Sequence, residues 1–179
     1  MPVLDELLNQ EIPARVRGNH ALEHATLHVL QERGFIGRLG GISDTGGFWI
    51  YGEVPTEKLL LAAQEALERL QKGESALAVH PDCGTNYAVS GLAAGGLAWL
   101  GMQGTRGKLG RQLRRLPLAV LLGVIGYQIA RPMGPKLQER VTTNADVSRL
   151  KVVEVVRQDV MGNAVHRVRT RWNEQENAA

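Results

Sequence analysis

Asn19-His20-Ala21-Leu22-Glu23-His24 sits inside a run from about Pro13 to Arg33 that reads as one long helix, stopped at Gly34. Val16, Leu27 and Leu30 trace its apolar seam, and the offsets from Val16 put His20 and Glu23 on that seam. Residues four apart share a helix face, so His20 and His24 stand one turn apart with Glu23 beside them. Polar groups on an inward face cost roughly 2–7 kcal/mol each unless something satisfies them. A metal is one such partner, because the H-x-x-E-H pattern lets two imidazoles grip one ion while a carboxylate lies between them. A backbone carbonyl or a water is another, and the trio then reads as a hydrogen-bonded cluster in a helix core.

The 179 residues suffice for one core plus an appendage. Aromatics supply 4% of residues and hydrophobics 44%, so small and aliphatic side chains must fill the interior. Charge is uneven: residues 1–86 hold 7 Lys/Arg against 12 Asp/Glu, and residues 87–179 hold 14 against 6. The second half is therefore the part expected to face something negative. The lone cysteine, Cys83, has no internal disulfide partner, which fits a reducing compartment or a thiol kept as a ligand or nucleophile. The first residues have no cationic start, long apolar run or cleavage site, so no signal peptide is expected.

Leu4, Leu7 and Leu8 predict a short helix before the histidine helix. After it, glycines punctuate Phe35 to Gly52, with Phe48 to Tyr51 read as a strand and Ile42 as part of a second. No Gly-Lys-Ser/Thr follows, so hairpin turns are favoured there over a phosphate loop. Pro55-Thr56-Glu57 opens another helix, whose buried face is Leu59, Leu60, Ala63, Ala66, Leu67 and Leu70. Ala76 to Val79 reads as a short strand delivering the chain into His80-Pro81-Asp82-Cys83-Gly84-Thr85-Asn86, with Thr85 or Asn86 available to cap the next helix.

No charged residue occurs between Asp82 and Arg106, or from Leu116 to Ala130. Between those stretches lie Arg106, Lys108, Arg111, Arg114 and Arg115. Two apolar segments joined by a basic loop predict a membrane helical hairpin, packed through Gly91, Ala94, Gly95, Ala98, Gly123 and Gly126. The second segment is short of the ~20 residues of a full crossing, which leaves a shallow or re-entrant hairpin open. With a cytoplasmic N-terminal domain, the loop cations, with Arg131, Lys136 and Arg140, would meet anionic lipid head groups. Nucleic acid ranks below membrane as the negative partner, because no aromatic platform interleaves these cations. From Leu150 to Trp172 the alternation predicts two strands turning near Met161-Gly162-Asn163, with His166 on the polar side.

Two resemblances follow from these motifs. The Asn-His-x-x-Glu-His helix, the Gly40-Gly41-Ile42-Ser43 and Gly46-Gly47-Phe48 segment and the His-Pro-Asp-Cys-Gly-Thr-Asn turn before a small-residue stretch resemble an uncharacterised bacterial membrane-associated family. That similarity covers roughly residues 15–130 and implies a shared fold and membrane association, not an activity. Separately, His20-x-x-Glu23-His24 looks like the inverted zinc motif of the inverzincin metallopeptidases. That resemblance implies zinc on the two histidines, Glu23 as general base and a third, glutamate ligand from the following helix, where Glu65 and Glu68 are the candidates.

The expected architecture is α+β: a small sheet, two long amphipathic helices, an inserted apolar helical hairpin and a C-terminal β-hairpin. The expected segments are an α+β domain at 1–86, the hairpin at 87–131, and a linker with the C-terminal β-hairpin at 132–179. The expected site is a zinc centre on His20 and His24, its third ligand His80 or Cys83. With three protein ligands an open position admits water and Glu23 can take its proton; with all four bound the site is closed and structural. The alternative is a non-catalytic membrane scaffold whose polar cluster fixes the fold.

Overall fold

A computed structural model describes residues 2–105 and 109–173. The chain divides into two compact units, Met1–His80 with Glu139–Ala179, and Pro81–Gln138.

The first unit contains α1 (Pro2–Leu8), α2 (Glu11–Glu32), β1 (Gly40–Asp44), β2 (Gly47–Tyr51), α3 (Thr56–Gln71), β3 (Leu150–Val160) and β4 (Asn163–Trp172). Proline at position 13 falls in the first turn of α2, where its missing N–H has no intrahelical partner to lose. From Gly18 to Leu30 that helix is enclosed almost all round, with only His20 and His28 half-buried. The four strands form one antiparallel sheet in the order β1-β2-β4-β3. Phe48, Ile50, Leu150 and Val168 on its inner face join Leu22, Leu30, Leu59, Ala63 and Leu70 of α2 and α3 in the core. The fold is thus α+β, as the patterning predicts.

Local chemistry explains the turns. Met161 and Gly162 take φ of 53° and 79°, the left-handed pair that suits a two-residue hairpin turn. Asn19 ties helix to sheet: its Nδ2 donates to the Asp44 carbonyl at 2.7 Å and its Oδ1 accepts from Thr170 Oγ1 at 2.8 Å. On the outer face, Arg167 makes two bonds to Asp44, at 2.7 and 2.8 Å, and lies over the Trp49 ring at 4.8 Å.

Two expectations are corrected here. Ala76 to Val79 is not a strand: Ser75–Ala78 is a turn of 3-10 helix, closed by Leu77 N–H to Glu74 O and Val79 N–H to Ala76 O. Alanine does not favour the pleated conformation, and tight i to i+3 bonds leave the Ala78 and Val79 carbonyls for other donors. His166 is not on the polar side but is fully buried, paired in register with Ile50 and Arg157. Thr170 and Val168 share its inward face, so the register set by the Met161-Gly162 turn decides its side.

The second unit contains α4 (Gly84–Gly101), α5 (Leu109–Ala130) and α6 (Met133–Leu137). Glycine lets α4 and α5 meet backbone to backbone. A Cβ at Gly126 would lie 2.6 Å from the Ala93 carbonyl oxygen, and one at Gly101 3.2 Å from Ala119 Cα. The cap of α4 is Cys83 rather than Thr85 or Asn86; the Asn86 side chain instead donates to the Pro81 carbonyl at 2.7 Å. The basic segment is not a loop throughout, since Arg111, Arg114 and Arg115 lie in the first turns of α5. Arginine is a good helix former, and Arg115 reaches the carbonyls of Gly101 and Gln103 at 3.4 and 2.9 Å, where the α4 terminus has unpaired acceptors. Arg106 and Lys108 lie outside the described residues.

Around α5, the exposed Leu116, Leu118, Val120, Leu121, Val124 and Ile129 sweep an arc of about 220° at ~100° per residue. The buried Ala119, Gly126 and Ala130 occupy a narrow stripe. Among the described residues α5 alone is long and apolar enough to cross a membrane, with 17% of its most apolar window buried.

Candidate metal centre

Four imidazoles gather in the first unit. His20 and His24 lie edge to face with ring centroids 4.3 Å apart, His24 and His80 are 5.8 Å apart, and His80 and His28 are 4.8 Å apart. Helical spacing aligns the three from α2, since 20, 24 and 28 are successive turns of one face. The 3-10 turn brings His80 to the same row. His24 and His80 are buried, at 1% and 4% exposure.

Backbone carbonyls fix which nitrogen of each ring carries a proton. His20 Nδ1 lies 2.9 Å from the Thr142 carbonyl and His24 Nδ1 lies 2.7 Å from the Ala78 carbonyl. A carbonyl can only accept, so both Nδ1 atoms carry hydrogen, and in a neutral ring Nε2 is then the nitrogen that bears the lone pair. Carbonyl bonds of this kind orient histidines for metal binding and raise their basicity. The segments supplying them are the 3-10 turn and a π-helical turn, Gln138–Thr142. Arg17 braces the second, donating to the carbonyls of Arg140 and Thr143 at 3.3 and 3.0 Å.

Cys83 follows His80 by three residues. His20 and His24 each offer a ligand atom, and these two atoms lie within 4.8 Å of each other. Tetrahedral zinc with bonds of about 2.0–2.3 Å separates its ligands by roughly 3.5 Å, so closure on an ion requires side-chain shifts of about 1 Å. The two histidines of α2 are part of a group that could hold a metal ion. Their imidazoles suit a borderline cation better than calcium or magnesium.

Glu23 is 4% exposed and receives a hydrogen bond from Ser43 Oγ at 2.5 Å. Burial pushes its carboxyl up from the ordinary range, opposed by the Ser43 hydroxyl and by the His20 imidazole. Glu65 and Glu68, the glutamates implied by the peptidase resemblance, are not at the cluster. Glu65 pairs with Arg33 and Glu68 with Lys72 on the outer side of α3, because that helix turns Leu59, Ala63, Ala66 and Leu70 inward. His28 was missed by the five-residue motif, although its spacing from His24 repeats that between His20 and His24. Its Nε2 donates to the Val79 carbonyl at 2.8 Å.

Fold and cluster together define an α+β protein with an inserted apolar hairpin and a candidate histidine metal centre. The chain belongs to the family defined by a Domain of unknown function (DUF6391), which matches residues 15–155. It is 35% identical over 178 residues to an uncharacterized protein of Picosynechococcus sp., covering 89% of this chain and 80% of that protein. No solved structure matches the chain significantly.

Proposed function

We propose that this is a membrane-associated zinc protein in which His20 and His24, completed by His80 or Cys83, hold the ion and Glu23 serves as general base in hydrolysis. The observation that carries the reading is the pair of Nδ1–H bonds to backbone carbonyls, which in neutral rings make Nε2 the ligating nitrogen of both histidines, one helical turn apart. An ion held by three protein ligands would supply Lewis-acid polarisation of a water or a substrate carbonyl. Glu23 accepts the proton of the attacking water. A buried carboxylate with its affinity for protons raised is better suited to that role than an exposed one.

The membrane part rests on the apolar arc of α5. One packed neighbour covers a stripe near 100° wide, so an exposed apolar arc of about twice that is better matched by hydrocarbon than by one protein partner. The helices α4 and α5 extend about 27 and 33 Å at 1.5 Å per residue, against a hydrocarbon thickness near 30 Å. In this reading the first unit is cytoplasmic, and Arg111, Arg114 and Arg115, with Arg106 and Lys108, sit at anionic head groups.

One observation favours a second reading, a non-catalytic scaffold: the Ser43 hydroxyl already ties one oxygen of the Glu23 carboxylate to β1. Metal analysis separates the two. Full-length protein extracted in mild detergent without chelators should carry, or take up, about one zinc ion per chain. His24→Ala should abolish uptake, whereas Glu23→Gln should retain the ion and lower any hydrolytic turnover by about 10²–10⁴. Wild-type protein that neither carries nor binds a transition metal leaves the scaffold reading.

A further inference from the structure

The inner face of β1 presents two residues to α2, Gly41 and Ser43, one strand period apart. Both meet the same carboxylate. Ser43 Oγ donates to Glu23 Oε2 at 2.5 Å. At Gly41 a Cβ would overlap Glu23 Oε1 and Cδ, and would lie 2.8 Å from Cγ. The pairing register, Gly41 with Ile50 and Ser43 with Phe48, puts both on the core side of the sheet, against the buried Glu23. Gly41 has no positive φ, unlike Gly47 and Gly52. Backbone freedom therefore does not explain a glycine at 41, whereas the carboxylate filling the space of its side chain does.

We propose that Gly41 and Ser43 form a cradle that positions Glu23 for its part in the metal centre, with Ser43 holding Oε2 and the missing side chain at 41 giving Oε1 its place. This rests on the metal-centre reading above. The cradle assigns the two carboxylate oxygens different tasks. Oε2 is held by the hydroxyl, and Oε1 is the oxygen left to accept a proton. An unanchored glutamate has freely rotating side-chain torsions and would present either oxygen at varying reach. The Gly40-Gly41-Ile42-Ser43 stretch, which carries no phosphate-binding signature, thereby acquires a reason for its composition.

The test uses full-length protein in detergent, stripped by chelation and loaded with Co²⁺ alone, whose visible absorption reports on ligand geometry and the hydrogen bonding of coordinated water. Ser43→Ala should bind Co²⁺ with unchanged stoichiometry but shifted bands, and Ser43→Thr, which keeps the hydroxyl, should restore the wild-type spectrum. Where the alanine variant does not fold, Ser43→Cys, a weaker donor of similar shape, carries the same comparison. Gly41→Ala should lower the melting temperature and perturb the bands, and adding Glu23→Ala to it should recover most of the lost stability, because the overlapping group is then gone. A wild-type spectrum in both Ser43→Ala and Gly41→Ala overturns the cradle while leaving the metal centre standing. Absence of Co²⁺ uptake by the wild-type protein overturns the metal centre, and the positioning role with it.

Discussion

His166 should make the stability of the first unit depend on pH through a single buried ring. Both its nitrogens are enclosed and have no hydrogen-bond partner among the described residues. Burial holds its pKa below the ordinary value, the nearby Arg157 lowers it further, and Glu53 opposes them weakly. The unfolded chain takes up a proton at this position near pH 6.5 while the folded chain does not. The stability associated with the neutral ring is thus complete above about pH 6.5 and falls as pH drops, until the lowered folded pKa is reached. The limiting slope for one proton is about 1.4 kcal/mol per pH unit, so a drop to one unit below the unfolded value removes at most about that much. His166→Phe keeps a ring in the core and removes the proton site. Urea unfolding of full-length protein in mild detergent, followed by tryptophan fluorescence at several pH values, gives the difference between the two proteins. The other histidines contribute to both curves and cancel to first order. Parallel stability profiles for wild type and His166→Phe between pH 7.5 and 5.5 would refute the reasoning, because they would mean that His166 titrates alike in both states.

Further outcomes are expected elsewhere. Gly18→Ala should destabilise by about 1–3 kcal/mol, since its Cβ would sit 2.6 Å from two atoms of the Trp172 ring; urea unfolding checks it. Gly126→Leu should force α4 and α5 apart, read as loss of a disulfide engineered between the helices or as increased protease sensitivity of the hairpin. Cys83→Ser should reduce metal content without changing migration on a non-reducing gel, as no second cysteine exists for an internal bond. The protein should remain with membranes through high-salt and alkaline washing; release by salt alone would indicate attachment through screened surface charge.

Much of the fold was legible because its elements carry strong local signals. The apolar period of α3, the Met161-Gly162-Asn163 turn and the charge-free stretches on either side of Arg106 to Arg115 each specify an element from within. What was misread depended on distant partners. Ala76 to Val79 is as apolar as a strand, but no neighbouring strand reaches it, and the rings of His24 and His28 take the carbonyls a ladder would use. His166 lies in a strand with arginines at 167, 169 and 171, and its side follows from pairing with β2, more than a hundred residues earlier. At the site, His20, His24 and Glu23 were legible from helical spacing alone. Ser43 and the Thr142 carbonyl were not, because each meets the helix only through tertiary contact.

The hairpin segment interrupts the first unit between His80 and Glu139, which orders events during synthesis. When α4 and α5 leave the ribosome, α2, β1, β2 and α3 already exist, but β4, which completes the sheet beside β2, has not been made. Non-local pairings of this kind form late, since loop closure must precede them. The Thr142 carbonyl that orients His20 also arrives only after the hairpin. On the proposed function, anchoring would therefore come before maturation: His20 gains the carbonyl that orients it only as the last quarter of the chain folds back, and metal capture would wait on completion of the sheet.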